Sequence, residues 1–436
     1  MTPLAPLAIG ALGFVALFAL MFLQVPIGFA MIIVGVAGYG LQAGWGPAFT
    51  ILASEPSGLL SSVDLATVPL FLLMGTFASA AGFSADIYNA AAALLGHKRG
   101  GLAYATIGGC AAFGAVCGSS TATAATFGKA ALPEMLRRGY AEGFSTGTIA
   151  AGGTLKSLIP PSIVMILYCI VSRTFIFDLF VAALVPALLA IALNLAAIWI
   201  VVRLHPELAP LGERTAFTEK IIAIRRAAPV LVLMIAIFGG LYSGVFTVNE
   251  AASVAAVLSL AFALGRGRLD PASLWRGMRE SASATAMIYV IIMGASIFTY
   301  YMTLARVPEA LIGLIGGLQV SPITIIFALL IAYLILGAVF DEIAAMLITL
   351  PFVLPIIEKL GYDAVWWGII NVVVIELGMI IPPIGIIVFI LHGLAPQISL
   401  GTIYRGVLPF IIADLVLLGL LTVFPEIALS LPRALK

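Results

Sequence analysis

Charge is what this sequence has least of. Only 9% of its 436 residues are Asp, Glu, Lys or Arg, where an ordinary soluble domain carries about 25%. With 62% hydrophobic residues and a mean hydropathy of +1.19, the chain is excluded from the water-soluble folds. It also lacks any polar stretch large enough to fold alone, the longest being the linker from about Arg203 to Arg226, so any soluble module it works with is expected to be another chain. Cysteine is scarce. Cys110, Cys117 and Cys169 all lie inside apolar segments, where a thiol packs as a small hydrophobe rather than in a disulfide or metal site. Histidine is scarce too: His97, His205 and His392 form no HExxH motif and fall near the ends of apolar runs. A membrane-embedded enzyme using Ser119 or Asp341 would therefore lack a base or metal partner. No charged residue precedes Glu55, so the first apolar run has no basic flank of a cleaved signal peptide and is expected to persist as a span. The formal net charge of +1 identifies no partner, and no nucleic-acid binding is expected.

What is present is a series of apolar runs near the ~20 residues that cross a bilayer core. They are read at 7–22, 26–44, 66–81, 178–202, 227–244, 247–265, 282–303 and 404–424. Four segments differ from these plain spans. Residues 101–135 and 322–357 are each two short apolar arms joined by a polar tip, Gly118-Ser119-Ser120-Thr121 and Phe340-Asp341-Glu342, which predicts helical hairpins. Residues 144–171 and 364–392 are each about one span long but broken by Pro160-Pro161 and Pro382-Pro383, where a helix must unwind.

These segments match one another at a fixed distance. Adding 222 carries Pro133 to Pro355, Gly139-Tyr140 to Gly361-Tyr362, and Ile159-Pro160-Pro161 to Ile381-Pro382-Pro383. Upstream the offset is 219, where Met74-Gly75 meets Met293-Gly294. The chain reads as an internal duplication.

Basic residues collect in cytoplasmic loops. The clusters His97-Lys98-Arg99, Arg137-Arg138, Arg203 to Arg226 and Arg266 to Arg279 place both ends of the first hairpin inside. The second hairpin, flanked by Arg306 and Lys359, is expected to open to the other side. Each half then makes five crossings, so the repeats are inverted and both termini lie outside.

Inverted repeats with discontinuous helices mark secondary transporters, with sites where helix ends and freed carbonyls converge. Sodium prefers hard oxygen ligands, and the candidates are Ser119, Ser120, Thr123, Gly153 and Thr154 in the first half, with Gly337, Asp341, Thr349 and Gly378 in the second. Substrate-pocket candidates are Ser119, Thr121, Lys156, Ser157, Pro160, Pro161, Glu376, Pro382 and Pro383. Isolated Gly or Thr at these places also fits plain helix packing. Asp341 and Glu342 stand out because a carboxylate at membrane depth costs ~2.5 to 3.5 kcal/mol unless paired or hydrated. Lys156 either contacts an anionic substrate or snorkels to water.

The runs GSSTATAATFGKAALPEMLRRGY and AAGGTLKSLIPPSIVMILY, with FDEIAAMLITLPFVLPIIEKLGYDAVWWGI, ELGMIIPPIGIIVF and FTVNEAASVAAV, resemble the large membrane subunit of tripartite ATP-independent periplasmic (TRAP) transporters over nearly the whole chain. The resemblance implies an all-α, polytopic, inverted-repeat elevator fold with two re-entrant hairpins and two Pro-broken helices. It implies scaffold helices in 1–65 and 178–281, transport-domain halves in 66–177 and 282–403, and a C-terminal helix in 404–436. It also implies residence in the bacterial inner membrane, where the charge count above makes both termini periplasmic, with sodium as coupling ion, no other cofactor, and an organic anion as substrate. The implied partners are a separate small TRAP membrane subunit and a periplasmic solute-binding protein. The sodium roles carry onto Ser119, Ser120 and Asp341, whereas Lys156 departs from the small residue expected there. A stand-alone ion-coupled carrier of the same superfamily is the alternative.

Overall fold

Peptide groups in a bilayer are satisfied only in helices or closed β-barrels, and an unbroken apolar run of about twenty residues is the length of a helix. The computed structural model describes residues 4–317 and 320–435, and every regular element in them is helical. The first half runs α1 (Leu4–Phe22), α2 (Ile27–Ala43), α3 (Trp45–Leu60), α4 (Thr67–Ala80), α5 (Phe83–Leu95), α6 (Gly101–Cys117), α7 (Ser120–Ala130), α8 (Leu132–Arg137), α9 (Glu142–Leu155), α10 (Ile163–Ser172) and α11 (Ile176–Leu204). The second begins with α12 (Phe217–Met234), which passes through a π turn into α13 (Gly240–Tyr242). It continues as α14 (Val248–Gly265), α15 (Pro271–Leu304), α16 (Val307–Gly317), α17 (Pro322–Val339), α18 (Glu342–Lys359), α19 (Ala364–Gly378), α20 (Ile386–Leu394), α21 (Leu400–Val423) and α22 (Glu426–Ala434). Among the described residues, 8 helical stretches are long and apolar enough to cross a membrane, so the chain is an all-α polytopic membrane protein.

Both expected hairpins form, as α6 with α7 and α17 with α18, and both Pro-Pro pairs interrupt a span, α9 from α10 and α19 from α20. Two parts differ from the sequence reading. Residues 45–60, which carry no unbroken apolar run, form α3, bent 65° from the helix that follows. The span read at 282–303 is only the second part of α15, whose 34 residues reach about 51 Å at 1.5 Å each. Asp270 caps α15 by accepting from the Ser273 amide, and Pro271 follows at the position where a helix needs no N–H. Arg276 and Arg279 therefore ride on a helix instead of a loop.

The 222-residue offset pairs α1 with α12, α2 with α14, α6 with α17, α9 with α19 and α11 with α21. Packing follows the same relation. Helix α2 lies along α15 as α14 lies along α4; α12 meets α5 as α1 meets α16; α7 meets α20 as α18 meets α10. Such an exchange of partners is what a two-fold relation between the halves produces.

Direction follows from the ends. Arg266 donates to the Ala81 and Arg226 carbonyls and pairs with Asp86, and Arg268 donates to the Ala81 carbonyl at 3.0 Å. The Ala141 amide donates to the Leu208 carbonyl at 3.0 Å, and Gly212 lies against Gly96. Basic segments distant in sequence thus share one end of the bundle. Helix α9 leaves that end, and at the far end of α10 the Tyr168 hydroxyl donates to the Ala364 carbonyl at 2.5 Å, where α19 begins. The second broken helix therefore starts from the opposite face, and the repeats are inverted.

Candidate functional site

Both hairpin tips are built on the same local plan. In the first, α6 ends at Gly118 with φ +76°, a conformation glycine reaches without strain, and Ser119 turns extended to cap α7, accepting from the Ala122 amide at 3.3 Å. In the second, Asp341 caps α18, accepting from the Ile343 amide at 3.0 Å. The cap occupies the outer side of the tip, so the next residue turns inward. Ser120 is 0% exposed and Glu342 is 6% exposed, whereas Asp341 is exposed. The deeply placed carboxylate is thus Glu342 rather than Asp341.

Ser120 and Glu342 are repeat mates, 222 residues apart, and they touch: Ser120 Oγ lies 3.2 Å from Glu342 Oε2. Around them the broken helices add Lys156, Ser157 and Glu376. Ser120 Oγ is 2.8 Å from Glu376 Oε1 and 3.0 Å from Ser157 Oγ, and Ser157 Oγ is 3.2 Å from Glu342 Oε2 and also bonds Glu376 Oε1. Two hydroxyl protons therefore serve two carboxylate oxygens. The ammonium of Lys156 donates to Ser157 Oγ at 3.2 Å. Lys156 is 0% exposed and is held in this network through Ser157. A Cβ at Gly114 would sit 2.7 Å from Lys156 Cβ, so α6 approaches the base of this side chain closely. Glu376 Oε2 has no hydrogen-bond partner among the described residues.

Other candidates sit at the edge of this cluster or outside it. Ser119 and Thr121 bond each other at 3.0 Å on the outer side of the first tip, and Thr123 donates to the Ser119 carbonyl at 2.8 Å. Thr154 donates to Ala151 of its own helix at 2.8 Å. Thr349 is engaged by Tyr333 Oη at 2.6 Å and by its own helix, away from the tip. Gly337 and Gly378 pack backbone to backbone, a Cβ on Gly378 reaching 2.6 Å from Gly337, and a Cβ on Gly153 would press on Ala124 at 3.0 Å. These are close-approach glycines of the kind that lets helices touch. Pro160 and Pro161 are buried, while Pro382 and Pro383 are exposed, the latter's carbonyl accepting from Tyr404 Oη at 3.2 Å.

A residue missed in the sequence is Arg276. A cavity of about 480 Å³ between the first tip and α15 is lined by Ser119, Cys117, Thr76, Ser79, Ser281 and Arg276, among others. The available signal was the spacing of four between Ser273, Gly277 and Ser281, one face of a helix, with Arg276 alongside.

Residues 14–427 match the family described as "Tripartite ATP-independent periplasmic transporter, DctM component". The chain belongs to this family. It is 36% identical over 405 residues to the C4-dicarboxylate TRAP transporter large permease protein DctM of Pseudomonas aeruginosa, covering 88% of this chain and 92% of that one. It is 29% identical over 416 residues to the sialic acid TRAP transporter large permease protein SiaM of Vibrio cholerae, covering 95% and 96%. The crystal structure of the Alcanivorax borkumensis YdaH transporter, titled as having an unusual topology, superposes with a TM-score of 0.57 at 16% identity, covering 89% of this chain and 90% of that one, a likeness of fold. This TRAP large permease has transporters, not enzymes, as its relatives.

Proposed function

We propose that the chain couples a sodium gradient to uptake of an organic anion, a carboxylate or sialic-acid-like solute, delivered by a periplasmic solute-binding protein in the bacterial inner membrane. A separate small TRAP membrane subunit completes the permease. The observation that carries the reading is the buried cluster: both tips and both broken helices meet at two carboxyl groups, two hydroxyls and one ammonium, a buried, oxygen-rich set that a cation can complete. Hard oxygens of Ser120, Ser157, Glu342 and Glu376, with Ser119 and Asp341 at the tips, suit sodium.

The anion is assigned to the cavity of about 480 Å³ beside Ser119, a volume usual for small-molecule sites. There the fork-shaped guanidinium of Arg276 matches a carboxylate. The cavity abuts the end of α15 that carries the basic clusters, so it is the cytoplasmic vestibule. Both chain ends are placed on the periplasmic face.

Transport is read as an elevator, with the hairpins and broken helices sliding against a frame. In this reading α4, which lies on α14 and α15, is assigned to the frame, and α21, which lies along α9, and α11, which lies along α21, are assigned to the moving unit. The test is reconstitution with the small subunit and binding protein in vesicles carrying a sodium gradient, assayed with C4-dicarboxylates and sialic acid. Uptake that needs both sodium and the binding protein is expected. Uptake by the chain alone would instead identify a stand-alone carrier, and indifference to sodium would sink the coupling.

A further inference from the structure

Three arginines from two separate segments meet at the basic end of the bundle. A cavity of about 400 Å³ there is lined by Arg226 of α12, Arg266 and Arg268 of the link between α14 and α15, and Asp86 in the first turn of α5. Arg266 is already engaged. It pairs with Asp86, donates to the Ala81 carbonyl at 2.9 Å and to the Arg226 carbonyl at 2.6 Å, and lies over the Phe83 ring with 5.2 Å to the centroid. Arg268 is held at the same corner, donating to the Ala81 carbonyl at 3.0 Å beside Gly82, whose φ of +79° and missing Cβ leave room for the guanidinium. Both Arg226 and Arg268 are exposed, and among the described residues no carboxylate pairs with either. Glu219 lines an adjoining cavity of about 250 Å³ with Arg226 and forms no ion pair with it. Three guanidiniums against one carboxylate leave an excess of positive charge gathered at this cavity, and that field draws an anion in.

We propose that this cavity binds the phosphate group of an anionic phospholipid of the cytoplasmic leaflet, with Arg226 and Arg268 as the charges that hold it and the Asp86–Arg266 pair as its fixed wall. Arginine suits the task, because its planar fork matches phosphate oxygens two at a time. Basic pockets between spanning helices on the cytoplasmic side are suited to acidic headgroups. The surface beside the cavity favours a lipid over a free phosphate. Ile221, Ile224, Leu231 and Ile235 are exposed and follow one another at steps of three, seven and four residues along one face of α12, and Leu264, also exposed, precedes Arg266 by two residues. The headgroup site is thus bordered by bare apolar side chains on which acyl chains can lie. A bound headgroup also ties α12 to the corner between α4 and α5, the latter packed against the first hairpin. The proposal needs neither the sodium nor the organic-anion reading.

The full chain, purified in detergent, is mixed with dioleoyl phosphatidylglycerol, with dioleoyl phosphatidylcholine or with inorganic phosphate, and native mass spectrometry gives the number bound and the Kd. Phosphatidylglycerol should bind more tightly than phosphatidylcholine. Arg226→Gln and Arg268→Gln, each of which leaves the Asp86–Arg266 pair in place, should weaken phosphatidylglycerol about fivefold, the share of one arginine at an anionic headgroup. Arg225→Gln removes the same charge from an exposed neighbour that does not line the cavity, and should leave the Kd at its wild-type value. Equal weakening by Arg225→Gln overturns the site, because diffuse surface charge then accounts for the binding. Phosphatidylglycerol held no better than phosphatidylcholine, or wild-type affinity in both cavity variants, overturns it too. Inorganic phosphate bound as tightly as phosphatidylglycerol, and lost in the same two variants, would keep the anion site but overturn a lipid as its occupant. Should one cavity variant fail to fold, the other, on a different element, carries the test.

Discussion

Ser120 and Glu342 stand at one position of the repeat, and Lys156 and Gly378 at another, yet the two halves have been given opposite charges there. The carboxylate added to one half and the ammonium added to the other are joined through Ser157 in the folded protein. The asymmetry is therefore one compensated substitution rather than two independent ones. Lys156→Gly alone strands both glutamates, and breaking a buried charge network in this way costs about 3–5 kcal/mol. Lys156→Gly with Glu342→Ser returns both positions to the residues of the other half. The double variant is expected to unfold at a higher temperature than Lys156→Gly, with a coupling of about 1–3 kcal/mol in the double-mutant cycle; additive effects would show that the two charges do not communicate. Arg276 belongs to the vestibule and not to this network, so Arg276→Ala should raise the KM for the organic anion while the sodium concentration for half-maximal uptake stays near wild type. A shift in sodium dependence alone would remove Arg276 from the anion site. At this scale the sequence was least informative. The pair Asp341-Glu342 was visible, but which carboxylate faces inward depends on the phase set by the helix cap, and that phase is a property of the turn and not of composition.

Helices were legible where a single physical rule dominates. The Pro-Pro pairs break their helices because proline supplies no amide hydrogen, and the Gly-Ser-Ser and Phe-Asp-Glu tips interrupt their apolar runs, so both hairpins and both broken spans could be read directly. Helix α3 escaped because Ser54, Glu55, Pro56 and Ser57 dilute its apolar pattern, and the polar first turns of α15 read as a loop. Close helix approach was also invisible, since it depends on which glycines face one another. Helices α9 and α21 touch at Gly143, Gly147 and Gly406, where a Cβ on Gly406 would lie 1.7 Å from the Gly143 carbonyl oxygen and one on Gly147 would lie 2.1 Å from that of Gly406. No side-chain rotation relieves a clash with backbone. Gly406→Ala should force the helices apart and lower stability by about 1–3 kcal/mol, read as a fall in the unfolding temperature in detergent. Gly419, on the same helix with open space around it, gives the control: Gly419→Ala should be neutral or slightly stabilising, as alanine in place of glycine favours a helix. Equal losses in the two variants would mean that helix propensity, not contact, governs α21.

For the molecule as a whole, the inverted repeat ties the two faces of the membrane to the two hairpins. Arg99 lies beside the base of the first hairpin at the end where Arg138, Arg226 and Arg266 gather, and Lys359 closes the second hairpin at the end marked by Ala364 and Tyr168. Both side chains are exposed, whereas Gly100 is buried with φ +73° and would report strain as much as location if replaced. The native cysteines Cys110, Cys117 and Cys169 are all buried and leave a low background for labelling. An impermeant thiol reagent applied to right-side-out vesicles should therefore modify Lys359→Cys and spare Arg99→Cys, with the pattern reversed in inside-out vesicles. Because positive charge holds loops in the cytoplasm, the assignment of faces follows from the same clusters that define the bundle's basic end. Labelling of both positions from one side would break the inversion, and with it the exchange of partners that brings Ser120 of one half onto Glu342 of the other. Labelling of opposite sides in the reverse sense would keep the inversion but place the Arg276 vestibule outside, turning the proposed direction of release around.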